Sequence, residues 1–327
     1  MKKVFLAWKP YCTRSHNQAK HFDAKEIYIS YFGNRNSAGA LLGRYFLSFF
    51  RTLTVLNRER PDVVFTLNQP PFLIAAVYLY TRLRGGVYIL DSHSAAFNDP
   101  RWAWARPLYR FIAARAFLNI NTNAEHKSLV ESWGGRSVIV ADVPIDHEQT
   151  YPDMDIPHNS IVVVASYMFD EPIREILLAA REAPQAQFYL TGNDKKLDSS
   201  LRKDLPSNVQ FTGFLSREEY FGMLSSAAGV MVLTTRDQTM QMGAYETLSL
   251  EQPLITSDWA ILRGSFGDAA LYVDNSPESI ASAVRMLLEN RDSLKDAAVR
   301  QKKSRREYFD HVRSDVLNQL ASLREFA

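Results

Sequence analysis

The chain has 327 residues, 46% of them apolar and 23% charged, with one cysteine and a formal net charge of +2. That is ordinary for a globular chain of two domains of about 150 residues each, and it excludes a disordered, collagenous or disulfide-scaffolded protein. Cys12 alone makes no internal disulfide, and the longest apolar run, Phe72 to Tyr80, falls far short of the ~20 residues a membrane-spanning helix needs.

The charge is unevenly placed. Residues 1–150 hold 19 Lys and Arg against 11 Asp and Glu, a net of +8, and the remainder holds 19 against 25, a net of −6. A basic first half expects something anionic, either a membrane surface or a phosphorylated acceptor. The basic residues are scattered and carry no nucleic-acid motif, which argues against nucleic acid as a partner. A cytoplasmic location, at the inner face of a membrane where the first half meets it, is the simplest expectation.

Taken in chain order, MKKVFLAWKP is cut short by Lys9-Pro10 and reads as a first strand rather than a leader. Expected strands follow at Val4–Trp8, Glu26–Ser30, Asp62–Thr66, Val87–Asp91, Leu118–Thr122 and Ser137–Val140, with helices such as Leu41–Arg58 and Phe72–Leu83 between them. The rhythm restarts at Ile161–Ala165, Phe188–Thr191, Val209–Phe211, Val230–Leu233, Leu254–Thr256 and Leu271–Val273. Strands alternating with helices predict parallel sheets covered on both faces, an α/β chain of two doubly wound, Rossmann-like domains facing across a cleft. Between the two series, Asp142 to Ser160 is rich in proline and acid and reads as a linker. The expected domains are 1–150, 156–300 and a C-terminal helix, 301–327, that reaches back to the first domain.

Within the first half, the Ala38 to Arg60 stretch is apolar, with Arg44, Arg51 and Arg58 two turns apart on one stripe. It reads either as a core helix with a solvated basic edge or as a helix lying on an anionic membrane.

Ligands of doubly wound sheets sit at the carboxyl ends of the strands, so the loops there carry the chemistry. In the second half, Pro172 suits a helix start with Asp170 or Glu171 near its N-cap, and Arg174 follows within the first turn. Ser166 lies at the end of its strand, Gly192-Asn193 ends the next, and Leu215 stands before a capping box of Ser216 and Glu219. After Val230–Leu233 comes DQTMQMGAYETLSLEQPLITSD, in which a helix is expected to begin near Met242. Its open amides and positive dipole end suit a phosphate, with Gly243 letting the ligand close to the backbone. Glu246, one turn in, accepts hydroxyls such as a ribose diol, or it merely complements the helix dipole.

The stretch FTGFLSREEYFGMLSSAAGVMVLTTRDQTMQMGAYETLSLEQPLITSD resembles the nucleotide-binding half of GT-B glycosyltransferases, nearest to glycosyltransferase family 4, and ASYMFDEPIREILLAA with YLTGN resembles the earlier loops of that half. The family carries two glutamates separated by seven residues. Glu246 matches the second, and Gln238 stands where the first is expected. The resemblance implies a nucleoside diphosphate sugar as donor substrate, no further cofactor and no metal. It implies that Glu246 holds the ribose. The backbone of Thr239, Met240, Gln241, Met242, Gly243 and Ala244 would hold the diphosphate, with Arg174, Ser166, Gly192 and Asn193 nearby. Gln238 would contact the sugar, and the backbone at Leu215 the base. A family basic pair near Arg174 is reduced to one charge, because Glu175 follows it.

In the first half, YILDSHSAAFNDPRW places His93 just past a strand end, where it resembles the family's histidine loop beside the donor sugar, with Asp91 orienting it; a helix-capping His is the other reading. Arg14, Ser15 and His16 follow the first strand and Asn68 the third, all expected at the acceptor, while His21 is expected on a solvated helix start. Asp153-Met154-Asp155 spells a metal motif of another glycosyltransferase fold, but no strand adjoins it. The resemblance therefore implies a retaining, metal-independent transfer to a glycan or lipid-linked acceptor in polysaccharide or glycoconjugate synthesis. Two other readings share the architecture: a nucleotide-sugar 2-epimerase, and a non-catalytic relative that binds a nucleotide sugar or a partner enzyme, suggested by Gln238.

Overall fold

The computed structural model describes residues 1–31, 38–92, 97, 100–140, 143–147 and 149–322, the side chains of 38–42 excepted. The chain divides into two compact units, Met1–Val143 with Phe309–Ala327, and Pro144–Tyr308.

The first unit is built on six parallel strands, β1 (Lys3–Ala7), β2 (Lys25–Tyr28), β3 (Val63–Leu67), β4 (Val87–Ser92), β5 (Leu118–Asn121) and β6 (Ser137–Ile139), in the order β2-β1-β3-β4-β5-β6. The helices are α1 (Thr13–His21), α2 (Ala38–Glu59), α3 (Pro71–Arg84), α4 (Arg106–Ala113) and α5 (Ala124–Ser132). All five residues of β3 are buried, because helices cover both faces and a parallel strand there needs no polar side. Pro71 opens α3 from its first position, where a missing N–H costs nothing. On α2, Ser48, Thr52 and Leu56 turn inward, while Phe46 and Phe50 stand 64% and 51% exposed.

The second unit repeats the plan with β7 (Ser160–Val163), β8 (Gln187–Thr191), β9 (Val209–Gly213), β10 (Gly229–Val232), β11 (Leu254–Ser257) and β12 (Ala270–Val273), in the order β12-β11-β10-β7-β8-β9. Its helices are α6 (Ile173–Glu182), α7 (Arg217–Ser226), α8 (Met242–Ser249), α9 (Ala260–Phe266), α10 (Pro277–Glu289) and α11 (Arg291–Ser322). From Phe309 onward, α11 belongs to the first unit, where Phe309, Val316 and Leu320 join the core.

The stretch read as a linker packs on the second unit. Tyr151, Met154 and Ile156 lie against its core, and the amide of Met154 donates to Ser226 Oγ at 2.9 Å. Asp153 accepts from the same hydroxyl at 3.0 Å.

Candidate functional site

The strand order of the second sheet reverses between β7 and β10, so the loops leaving their carboxyl ends flank the place where such sheets take ligands. Asp170 ties the two loops together: its carbonyl accepts from the amide of Thr235 at 2.7 Å and from its hydroxyl at 3.2 Å. Thr234 is fixed from behind. Its amide donates to Ser257 Oγ at 2.9 Å, and its carbonyl accepts from Trp259 Nε1 at 3.0 Å and Asn275 Nδ2 at 3.2 Å. The Arg236 guanidinium lies 5.9 Å from the ring centre of Phe169, across the same two loops. Gln238 holds φ at +54°, a conformation that side chains adopt at a cost of roughly 1 kcal/mol or more and that gathers at functional sites.

Helix α8 begins at Met242 from an extended Gln241 that makes no side-chain cap. The Gln241 amide group instead donates to the Leu233 carbonyl at 2.8 Å, fixing the loop to the strand it left. First-turn amides of α8 are thereby left without a side-chain acceptor, as an anion requires. Gly243 has a second purpose that the sequence did not suggest. A Cβ there would lie 2.8 Å from Val164 Cγ1, so glycine lets α8 close onto the end of β7.

Glu246 is part-buried on this helix, and its Oε2 accepts from the Tyr220 hydroxyl at 2.7 Å. Burial raises the Glu246 carboxyl above the usual range, while the Tyr220 bond and the charge of Arg217 oppose the rise. Burial and the Glu246 charge hold the Tyr220 phenol well above its usual range, so it stays a donor. Tyr220 stands in the first turn of α7, directly after the capping box that the sequence shows: Ser216 Oγ accepts from the Glu219 amide at 3.2 Å, and Glu219 accepts from the Ser216 amide at 2.7 Å. Leu215, just before the cap, is half-buried beside the 82%-exposed Phe214.

The β7 loop departs from expectation. Neither Asp170 nor Glu171 caps α6, whose N-cap is Pro172 without a side-chain bond. Glu171 folds back, and its carboxylate accepts from the Ser166 amide at 2.9 Å, the Tyr167 amide at 2.8 Å and Ser166 Oγ at 2.6 Å. Two adjacent amides and a hydroxyl outcompete a helix end, because they satisfy both carboxylate oxygens at once. The loop thus holds an anion of its own chain. Arg174 is exposed and makes no ion pair among the described residues. Gly192, at φ +88°, could not carry a side chain, since its Cβ would lie 2.1 Å from the Ala165 carbonyl oxygen. Asn193 accepts from the Lys195 amide at 3.2 Å and so caps its own turn.

In the first unit, Arg14 and Asp91 form a buried pair. Arg14 Nη2 is 3.1 Å from Asp91 Oδ1 and donates to the Val140 carbonyl at 2.8 Å. Ser15 is fully buried on the same helix, and the amide of buried Asn68 donates to the Asp91 carbonyl at 3.1 Å. Arg14 and Ser15, expected at the acceptor, are interior residues: the phase of α1 turns them to the sheet, and Asp91 takes the guanidinium. His16 faces outward, its Nδ1 2.9 Å from Glu26 Oε1 and its ring 5.8 Å from that of Tyr11. His21, expected on a solvated helix start, is buried with its ring 4.9 Å from that of Phe309. His93 lies outside the described residues.

Sequence reasoning missed Tyr220 and Glu171 as members of this region. An aromatic directly after a capping box was the available signal for the first. None pointed to the second, which was read as a helix cap.

Residues 165–290 match the family of glycosyl transferases group 1. A search of curated protein sequences gave no match. Among solved structures, the chain resembles sucrose-phosphate synthase from Thermosynechococcus elongatus at 12% identity and a TM-score of 0.77, with 100% of both chains covered. It resembles Anabaena HepE in complex with UDP at 11% identity and a TM-score of 0.71, over 98% of this chain and 100% of that one. A putative UDP-N-acetylglucosamine 2-epimerase from Listeria monocytogenes follows at 12% identity and a TM-score of 0.63, over 91% of each chain. At such identities the likeness establishes the fold, which is GT-B, as the sequence resemblance implied.

Proposed function

This chain carries a glycosyl transferases group 1 domain on the GT-B fold, and we propose that it moves a sugar from a nucleoside diphosphate sugar to an acceptor hydroxyl. The observation that carries the reading is Glu246: a part-buried carboxylate one turn into an uncapped helix, at the switch point of the second sheet, with one oxygen held by Tyr220. The other oxygen accepts the ribose hydroxyls. The backbone from Thr239 to Ala244 receives the diphosphate, and Arg174 and Arg236 supply positive charge at its edge. Gln238 and His93 contact the donor sugar, and Asp91 orients His93; Leu215 meets the base through its backbone. The transfer retains the anomeric configuration and uses no metal, since amides and arginines carry the leaving diphosphate. His16 and Asn68 serve the acceptor, a glycan or lipid-linked sugar in polysaccharide or glycoconjugate synthesis.

The first experiment is a thermal-shift panel of UDP, GDP, ADP, CDP and dTDP, followed by transfer assays with the sugar nucleotides of the base that binds. UDP leads the panel because the related HepE structure holds it. A ligand that binds only the folded protein raises the melting temperature with the logarithm of its excess over Kd. A shift for one base, reduced in Glu246→Gln, supports the site. No shift for any base sinks it.

One observation favours a second reading, a relative that binds without transfer. Glu171 places a negative charge on the amides of Ser166 and Tyr167, and Gln238 stands where the family has glutamate. Hydrolysis of the bound sugar nucleotide, even slow, decides for the enzyme.

A membrane contact of the first unit belongs to the same proposal. No helix of the described residues is long and apolar enough to cross a bilayer. On α2, however, Phe46, Leu47 and Phe50 are exposed beside the exposed Arg51, as in helices that lie on anionic lipid. Co-sedimentation with phosphatidylglycerol vesicles, lost in Phe46→Ser with Phe50→Ser, tests it.

A further inference from the structure

A second ligand site is built into the first unit, between α4 and α5. A cavity of about 530 Å³ is lined there by Phe97, Arg106, Arg110, His126, Leu129 and Trp133, with Glu125 and Tyr109 completing it. Such a volume suits a small organic molecule.

Its floor is unusual. His126 is 1% exposed, yet among the described residues neither ring nitrogen has a hydrogen-bond partner. Buried polar groups are almost always paired, so an unpartnered imidazole lining a cavity marks a place for something else to bond. The ring is held by its surroundings rather than by its nitrogens. Its backbone amide donates to Asn123 Oδ1 at 2.8 Å, capping α5, and its face stacks on Phe97 with centroids 4.5 Å apart. Trp133 extends the aromatic wall, its ring 6.0 Å from that of Phe97. Burial depresses the imidazole pKa, so the ring is neutral near pH 7 and offers one donor and one acceptor.

The rim is cationic. Arg106 and Arg110 lie four residues apart, so both project from the same face of α4. Both are exposed, and neither makes an ion pair among the described residues. Glu125 is the one carboxylate among the described lining residues, which leaves one guanidinium in excess among them. Guanidinium forks match the oxygens of a phosphate, while the aromatic wall and Leu129 accept an apolar body.

From this combination we infer that the cavity between α4 and α5 binds an amphipathic phosphomonoester, its phosphate on Arg106 and Arg110, its apolar body against Phe97, Leu129 and Trp133, and one polar atom on His126. The body is an aryl ring in a soluble metabolite or the first carbons of a lipid chain, and one titration separates the two.

The test is a titration of the full chain with phenyl phosphate and with hexyl phosphate, read on the His126 Hε1–Cε1 NMR signal. Inorganic phosphate and phenol serve as half-molecule controls. Saturable movement of the His126 signal by an organic phosphate is expected, with the tighter of the two identifying ring or chain. Arg106→Ala with Arg110→Ala, both exposed and safe for folding, should weaken binding at least about tenfold, as loss of charge-assisted hydrogen bonds predicts. His126→Phe keeps the stack on Phe97 and should weaken it severalfold, read by calorimetry. The inference is overturned if neither organic phosphate moves the signal, if inorganic phosphate moves it equally at the same concentration, or if the double arginine variant binds as the parent does.

Discussion

The Tyr220 hydroxyl donates to Glu246 Oε2 at 2.7 Å and so fixes a part-buried carboxylate one turn into α8. The two residues come from different helices, α7 and α8, each following its own strand. Replacing Tyr220 by Phe removes the donor and leaves the carboxylate in place. A hydrogen bond to a charged group contributes about 1.5–3 kcal/mol, so nucleotide affinity should fall about tenfold while the fold persists. Calorimetry with the base chosen by thermal shift checks it. Unchanged affinity would show that Glu246 needs no help from Tyr220.

Glu246 also gives a pH dependence whose sign is fixed. Its carboxyl is raised in the folded protein by burial, so between the unfolded and folded values the native state holds the extra proton. Stability therefore falls as pH rises through that window and stays lower above it. Glu246→Gln removes the ionisation, so the variant should match or exceed the parent in urea stability at pH 7 while binding nucleotide about tenfold less well. In the parent, nucleotide affinity should drop as pH falls through the raised carboxyl value, because a protonated carboxyl gives up part of its accepting capacity. A variant that loses stability at pH 7 would assign Glu246 to the fold instead.

Much of the architecture was legible because parallel strands buried on both faces read as unbroken apolar runs. The strand residues Val63–Leu67 and Gly229–Val232 are buried at every position, and each expected strand is found within a residue or two. Helix starts were legible where a local rule had no competitor, as at the Ser216 cap. They were not legible where a side chain had a better partner elsewhere. Glu171 follows the rule for a helix N-terminus and is taken by the amides of Ser166 and Tyr167. Arg14 follows a strand end, as ligand residues do, and is taken by Asp91 from 77 positions away. The inward turn of Ser48 and Thr52 on α2, with Phe46 and Phe50 outside, inverts what an apolar helix suggests. The Arg14–Asp91 contact spans a long stretch of sequence and leaves no periodic trace, while Glu171 folds back only four or five residues to amides whose freedom no residue pattern signals.

Glu171 bears on the proposed donor site. Its carboxylate occupies amides at the carboxyl end of β7, where a diphosphate would bring like charge. Glu171→Gln keeps an accepting oxygen for the amides and removes the charge. Affinity for a nucleoside diphosphate should rise severalfold, and the gain should shrink in high salt. A loss of affinity would mean that the loop depends on the carboxylate to hold its shape.

Two glycines near the site test packing against ligand approach. Gly243→Ala brings a Cβ to 2.8 Å from Val164 Cγ1, an overpacking that should cost about 1–3 kcal/mol. Val164→Ala in the same chain should recover most of it. If Gly243→Ala is neutral in urea and harmful only to nucleotide binding, its purpose is close approach of the ligand. Gly192→Ala has no such rescue, because it meets the backbone oxygen of Ala165 at a positive φ, and it should be the more destabilising of the two.

The last prediction concerns the buried pair of the first unit. Arg14 and Asp91 side chains are 6% and 0% exposed, and the guanidinium also reaches the Val140 carbonyl. Removing one partner of a buried pair strands the other charge, at a cost of about 3–5 kcal/mol. Asp91→Ala and Arg14→Ala should therefore each lower urea stability by that much. The double variant should be less destabilised than the sum, because neither charge is left alone. An acceptor contact would behave otherwise: Arg14→Ala would raise KM for the acceptor and leave stability nearly untouched. Urea denaturation of the four proteins of the cycle separates the two outcomes without any knowledge of the acceptor, since additive losses would show that Arg14 and Asp91 do not act as a pair.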